Sequence, residues 1–282
     1  MRAAIAMLAL LGTGASTLDP PAWSEPTAAF PILGPIHYVG TKGLAAYLIK
    51  TRDGAILIDA TLEQNVAAIE RNIASVGVPI HGVKILLNSH AHFDHAAGLA
   101  QLQRDSGARL AVMDGDARAI ATGRPPSVVS YGLVTFPAAR VDRELHDGDT
   151  VTLGGITLTA IKTPGHTAGC TTWTMPVRER GRTLVVMFPC SLTVAGNQLV
   201  GNPGYPGIVT DFRSSFARLA TMTADVLLPA HPELADVMAH RAQVVAGRRD
   251  AFVDPGALGR MVAVAREAFD RELIRQQTIA QR

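Results

Sequence analysis

The segment His90-Ala91-His92-Phe93-Asp94-His95 constrains this chain more than any other stretch, because it sets three imidazoles and a carboxylate within six residues. It follows directly on the short apolar run Ile85–Asn88. If that run is a strand, His90 and His92 point to one side, since strand side chains alternate. Asp94 and His95 then fall where the strand gives way to a helix. The segment thus offers two groups of donors to two adjacent cations. Imidazole with carboxylate and no thiolate suits zinc best, with iron and manganese behind it. A His-rich loop without a metal is a poor alternative, because unpaired imidazoles beside buried apolar strands are costly.

Two distant histidines complete such a site. His166 lies in Thr163-Pro164-Gly165-His166-Thr167-Ala168-Gly169, after the expected strand Ile156–Ile161, and His231 lies in Pro229-Ala230-His231-Pro232, after Val226–Leu228. Side chains leaving strand ends at one sheet edge can converge. His37, His81, His146 and His240 lack that placement and read as structural or surface residues. Asp59, also at a strand end, is either an acceptor for a ligand imidazole or a turn or capping aspartate.

At 282 residues, 48% hydrophobic and 18% charged, the chain can build one large α/β domain with a well-buried core. A formal charge of +2, with no basic run, gives no case for nucleic acid as a partner. Met1-Arg2, an apolar run Ala3–Leu11 and small residues to Ala15 fit a signal peptide over residues 1–15 and export to the periplasm. That run is too short to span a bilayer, and no second one reaches spanning length. Residues 16–35, rich in proline, read as an extended N-terminal segment, and residues 36–282 as a single domain.

Within that domain, periodicity and turn residues predict strands at 45–49, 55–59, 85–88, 151–153, 156–161, 171–175, 183–188 and 226–228. Helices are expected from Thr61 as cap to Gly77, from His95 to Ser106, over 211–222, and after Asp254-Pro255. Ala121–Ala139 has no clear period and reads as a long functional loop. Strands in two blocks with interleaved helices indicate stacked sheets covered by helices.

Together, H-A-H-F-D-H, the G-H-T turn and the late P-A-H-P turn resemble the metal motifs of the metallo-β-lactamase superfamily, in order and spacing, over roughly Ile36 to Leu234. The resemblance implies an α/β fold, the four-layer αβ/βα sandwich, with metals at one edge of the two sheets. Glyoxalase-type and lactonase members carry a metal-bridging aspartate after the strand that follows the G-H-T turn. Here that position reads Pro189-Cys190-Ser191-Leu192-Thr193, without an acid. His95 and the segments G-H-T-A-G-C-T-T-W and C-S-L-T-V are similar to subclass B3.

The resemblance implies two Zn2+ per chain, one on His90, His92 and His166 and one on Asp94, His95 and His231. It implies hydrolysis of penicillins, cephalosporins and carbapenems, and hence antibiotic resistance, with a lactonase or glyoxalase II-type thioesterase as the alternative. Asp94 would also orient the attacking hydroxide. Ser191 and Thr193 would contact the substrate carboxylate, and Asn197 would polarise the lactam carbonyl. Tyr131, Phe136, Tyr205 and the tip Gly40–Leu44 are expected to border the cleft. Cys170 and Cys190 flank the expected hairpin and can form a disulfide, remain two buried thiols, or lend Cys190 to a metal.

Overall fold

The computed structural model describes residues 19–281. The expected signal peptide lies outside the described residues. Among the described residues no helix is long and apolar enough to cross a membrane.

The first sheet is built in chain order from β1 (Phe30–Leu33), β2 (Ile36–Tyr38), β3 (Tyr47–Thr51) and β4 (Gly54–Ile58). After helix α1 (Val66–Ser75) come β5 (Val83–Leu87), α2 (Phe93–Ala96), α3 (Leu99–Ser106), β6 (Arg109–Met113), α4 (Asp114–Thr122) and β7 (Arg143–Leu145). Strands β1 to β4 pair antiparallel, and β4 to β7 pair parallel. The second sheet follows as β8 (Thr150–Leu153), β9 (Ile156–Lys162), β10 (Thr171–Glu179), β11 (Arg182–Phe188) and, beyond α5 (Ile208–Ala220), β12 (Val226–Leu227). Helices α6 (Val237–Val245) and α7 (Ala257–Ala280) close the chain.

Three apolar interfaces separate four layers. Leu48, Leu57 and Leu86 face α1 and α3, whereas their neighbours Ile49, Ile56, Ile58 and Leu87 face the second sheet. That switch of side between adjacent residues is the strand period of two. The second sheet presents Trp173, Met175 and Val186 inward and Met187 outward, onto Phe212, Phe216 and Phe269 of α5 and α7. This is the expected αβ/βα sandwich. Strands β4, β5, β9, β11 and β12 all end at one edge, so the segments that follow them converge there. Cys170 and Cys190 are joined as a disulfide with Cα atoms 5.7 Å apart, which ties the turn after β9 to the loop after β11. Of the three readings open for these cysteines, this leaves Cys190 unavailable as a metal ligand.

Several local expectations are corrected. The segment 16–35 is not merely a lead-in: Phe30–Leu33 is an edge strand, and Pro21–Trp23 forms a 3-10 turn at the site. Thr61 does not cap α1; its φ is 55°, and its hydroxyl accepts from Asn65 at 3.1 Å. The helix expected from His95 to Ser106 is broken between α2 and α3. Gly98 there lies so close to Ala60 that an added Cβ would sit 2.4 Å from the Ala60 carbonyl oxygen. Strands β6 and β7 and helices α4 and α6 had no clear signal in the sequence. The expected hairpin between β10 and β11 is present, turning on Arg180 and Gly181, both at positive φ.

Candidate metal centre

Six side chains from three separate segments, residues 90–95, His166 and His231, meet at the sheet edge. His90 Nε2 lies 3.1 Å from His166 Nε2, which lies 2.9 Å from His92 Nδ1. Beside them, Asp94 Oδ2 lies 3.1 Å from His95 Nε2 and 3.3 Å from His231 Nε2, and the two imidazole nitrogens are 3.2 Å apart. Ligand atoms around a tetrahedral zinc with Zn–N near 2.0 Å stand about 3.3 Å apart, so both trios have the spacing of a coordination shell. The rings of His90 and His95 are 4.3 Å apart, which sets the two trios side by side. None of His37, His81, His146 or His240 joins them.

Hydrogen bonds fix which ring nitrogens face inward. His166 donates from Nδ1 to the Thr193 carbonyl at 2.7 Å, so its Nε2 carries a lone pair. Ser89 donates its only hydroxyl hydrogen to Asp59 Oδ2 at 2.7 Å. Ser89 Oγ therefore accepts from His90 Nδ1 at 2.9 Å, and His90 Nε2 is bare as well. Two buried lone pairs facing each other at 3.1 Å repel unless a cation lies between them, so the residues fit a metal.

The electrostatics agree with a cation site. Burial, reinforced by neighbouring imidazoles, holds His90 and His166 well below the usual histidine range. Burial brings His92 down to about 4. These rings are neutral at pH 7, the state that binds metal. For Asp94, burial alone would raise the pKa, but His95 and His231 outweigh it and hold the carboxyl well below its ordinary value. The same pairing raises His95 against the effect of burial. The donor set suits a divalent metal.

Two buried carboxylates stand behind the ligands. Asp59, at φ 63°, accepts from the Ser89 amide at 2.7 Å and from Asn88 at 2.9 Å, and its Oδ2 lies 3.7 Å from His95 Nδ1. It thus serves the turn and, through Ser89, orients His90. A left-handed, non-glycine residue at such a place is strain held by its surroundings. Asp116, near the start of α4, was not singled out in the sequence. It accepts from the Ala91 amide at 2.8 Å, the Thr167 hydroxyl at 2.7 Å and the Gly169 amide at 2.9 Å. One carboxylate therefore clamps the His90–His92 segment to the His166 turn. Burial pushes the Asp116 carboxyl up, against the pull of those three donors.

The remaining expectations divide. Ser191 Oγ and Thr193 Oγ1 stand 3.0 Å apart beside the trios. Asn197 does not face the cleft, and its expected role in polarising a carbonyl is corrected. It is fully buried, and its amide donates to the His166 carbonyl at 3.1 Å and to the Val194 carbonyl at 2.9 Å, leaving no hydrogen for a ligand. It supports the His166 turn instead. The cleft, about 450 Å3, is walled by Trp23, Phe93, Tyr131 and Val134 over His92 and His231. Tyr131 is thus where it was expected. Phe136 is buried against α4, and the buried Tyr205 donates its hydroxyl to Asp211 at 2.7 Å, so neither forms a wall. The tip Gly40–Leu44 lies behind the wall: Thr41 Oγ1 donates to the Trp23 carbonyl at 2.9 Å, and Gly43 packs on its ring. Trp23 itself, 5.5 Å from His231 ring to ring, was hidden in the proline-rich segment.

Known proteins are similar to this chain in sequence and fold. Residues 41–231 match the family model described as the metallo-beta-lactamase superfamily. BJP-1, a subclass B3 metallo-beta-lactamase of Bradyrhizobium japonicum, is 41% identical, with a TM-score of 0.88 over 92% of this chain and 98% of its own. FEZ-1, a metallo-beta-lactamase from Legionella gormanii, is 39% identical, with a TM-score of 0.86 over 90% and 98%. A hydroxyacylglutathione hydrolase of Hyphomonas neptunium is 33% identical over 92 residues, 33% of this chain and 29% of that protein. The chain spans less than half the length of the curated relatives it matches. With residues 41–231 matching the family model and the six side chains within that span gathered in two trios, this chain belongs to the metallo-beta-lactamase superfamily.

Proposed function

We propose that this protein is a zinc-dependent β-lactamase, of subclass B3 type, that opens the amide ring of penicillins, cephalosporins and carbapenems after export to the periplasm. The observation that carries this reading is the pair of three-donor groups, combined with a segment after β11, Pro189–Thr193, that offers no acid. His90, His92 and His166 hold one Zn2+, and Asp94, His95 and His231 hold the other. Bound there, the two ions supply a water acidified to near neutral pH and positive charge for a developing oxyanion.

The chain's own groups do the rest. Asp59 through Ser89, and the Thr193 carbonyl, hold His90 and His166 in the tautomers that turn Nε2 inward. Asp94, kept ionised by its two imidazoles, accepts a hydrogen bond from water in the cleft and so orients it. Each hydroxyl of Ser191 and Thr193 has one hydrogen, and only one is needed between them, so the pair keeps a donor for the substrate carboxylate. Trp23 and Tyr131 cover the cleft and exclude bulk water.

The second reading, a thioesterase of glyoxalase II type, draws support from the short match to the hydroxyacylglutathione hydrolase. Zinc-loaded protein assayed on a chromogenic cephalosporin and on a glutathione thioester separates the two. The expected result is cephalosporin turnover that a chelator removes and zinc restores, with the thioester slower by at least ~100-fold, a barrier difference of about 2.7 kcal/mol. Thioester turnover without lactam turnover would reverse the assignment.

A further inference from the structure

A second depression adjoins the metal cleft. It measures about 380 Å3 and lies between α7 and the loops that follow β11 and β12. Thr193 and His231 line both spaces, so the two adjoin across these side chains. Ser191 lines this one alone of the two. Away from that boundary the walls are mostly apolar, with Leu234, Met261, Val264 and Ala265 forming them and Asp236, His240 and Glu272 also on the lining. Met261 and Ala265 are one helical turn apart and share a face of α7. Leu234 is 44% exposed and Val264 67%, unusual for large apolar side chains that share one groove. At the far rim Arg260 pairs with Asp254, so its charge is met within the protein.

We propose that this groove is a subsite for an apolar, preferably aromatic, substituent carried on the substrate next to its carboxylate. The assignment rests on the β-lactamase reading above. In a cephalosporin, the ring carbon beside the one bearing the carboxylate carries the variable substituent. A carboxylate held by Ser191 and Thr193 therefore delivers that substituent across the Thr193–His231 boundary into the groove. The polarity runs the same way, with hydroxyls and imidazole at the boundary and a mostly aliphatic lining beyond. The volume is in the range of small-ligand pockets, about 300–1,000 Å3.

The test uses zinc-loaded protein and two cephalosporins that differ only at this position, one with a methyl group and one with a large aromatic group. Ala265→Trp and Val264→Trp fill the groove from α7. KM for the aromatic compound relative to the methyl compound is expected to rise by about tenfold in both variants, with little change in the kcat ratio. An unchanged KM ratio, with lactams still turned over, would overturn the subsite and leave the hydrolase reading standing. No turnover of either compound by the wild-type protein would sink the hydrolase reading and the subsite with it. A concentration-dependent dimer that either variant abolishes would give the face to a second copy and overturn the proposal.

Discussion

Asp94→Ala is expected to lower kcat by about 10³-fold or more and to strip one of the two metal ions from the protein. Removing a group behind a metal ligand commonly costs 10–100-fold, so losing a ligand that also orients the attacking water costs more. The carboxylate is buried and its Oδ2 lies within 3.3 Å of both His95 and His231. Without it, the second trio becomes two imidazoles with no negative charge to offset a divalent cation. The first trio shares no atom with Asp94 and keeps its ion. Asp94→Asn keeps the shape and guards against misfolding as the explanation. Kinetics and metal content measured on both variants check this, and a variant that retains two ions and wild-type kcat would remove Asp94 from the chemistry.

Asp116→Ala is expected to destabilise the protein by about 3–5 kcal/mol in urea unfolding, because it leaves buried donors on Ala91, Thr167 and Gly169 unpaired. Its functional effect is directional. Asp116 joins the two segments that carry His90, His92 and His166 and touches neither His95 nor His231. Affinity for the first ion should therefore fall by about 10–100-fold and affinity for the second much less. A competitive chelator titration reads both. Asp116→Asn, which keeps one acceptor, should lie between. Equal weakening of both ions, or of neither, would make Asp116 a packing residue only.

The metal cluster was legible because four of its six donors are nearly consecutive, so local strand and helix geometry fixes their directions. His166 and His231 could be added because each follows an apolar strand through a turn containing proline. Asp116 could not be found this way. An acid at the start of a helix reads as first-turn electrostatics, and its three partners lie 25 to 53 residues away. Trp23 was hidden for a similar reason: its segment has no period, and the bonds that hold it come from Thr41 and Asn65. Asn197 shows the reverse error. Its position near the site was readable, but only the fold shows that both of its amide hydrogens are engaged by backbone carbonyls. The break between α2 and α3 is likewise tertiary, set by the approach of Gly98 to Ala60.

The most direct measurement is anomalous diffraction at the zinc edge from crystals of metal-replete protein. Two peaks are expected, about 3.5–4 Å apart, one among His90, His92 and His166 and the other among Asp94, His95 and His231. A single peak, or density bound elsewhere with His166 or His231 turned away from the 90–95 segment, would contradict the two-metal centre and the hydrolysis assigned to it.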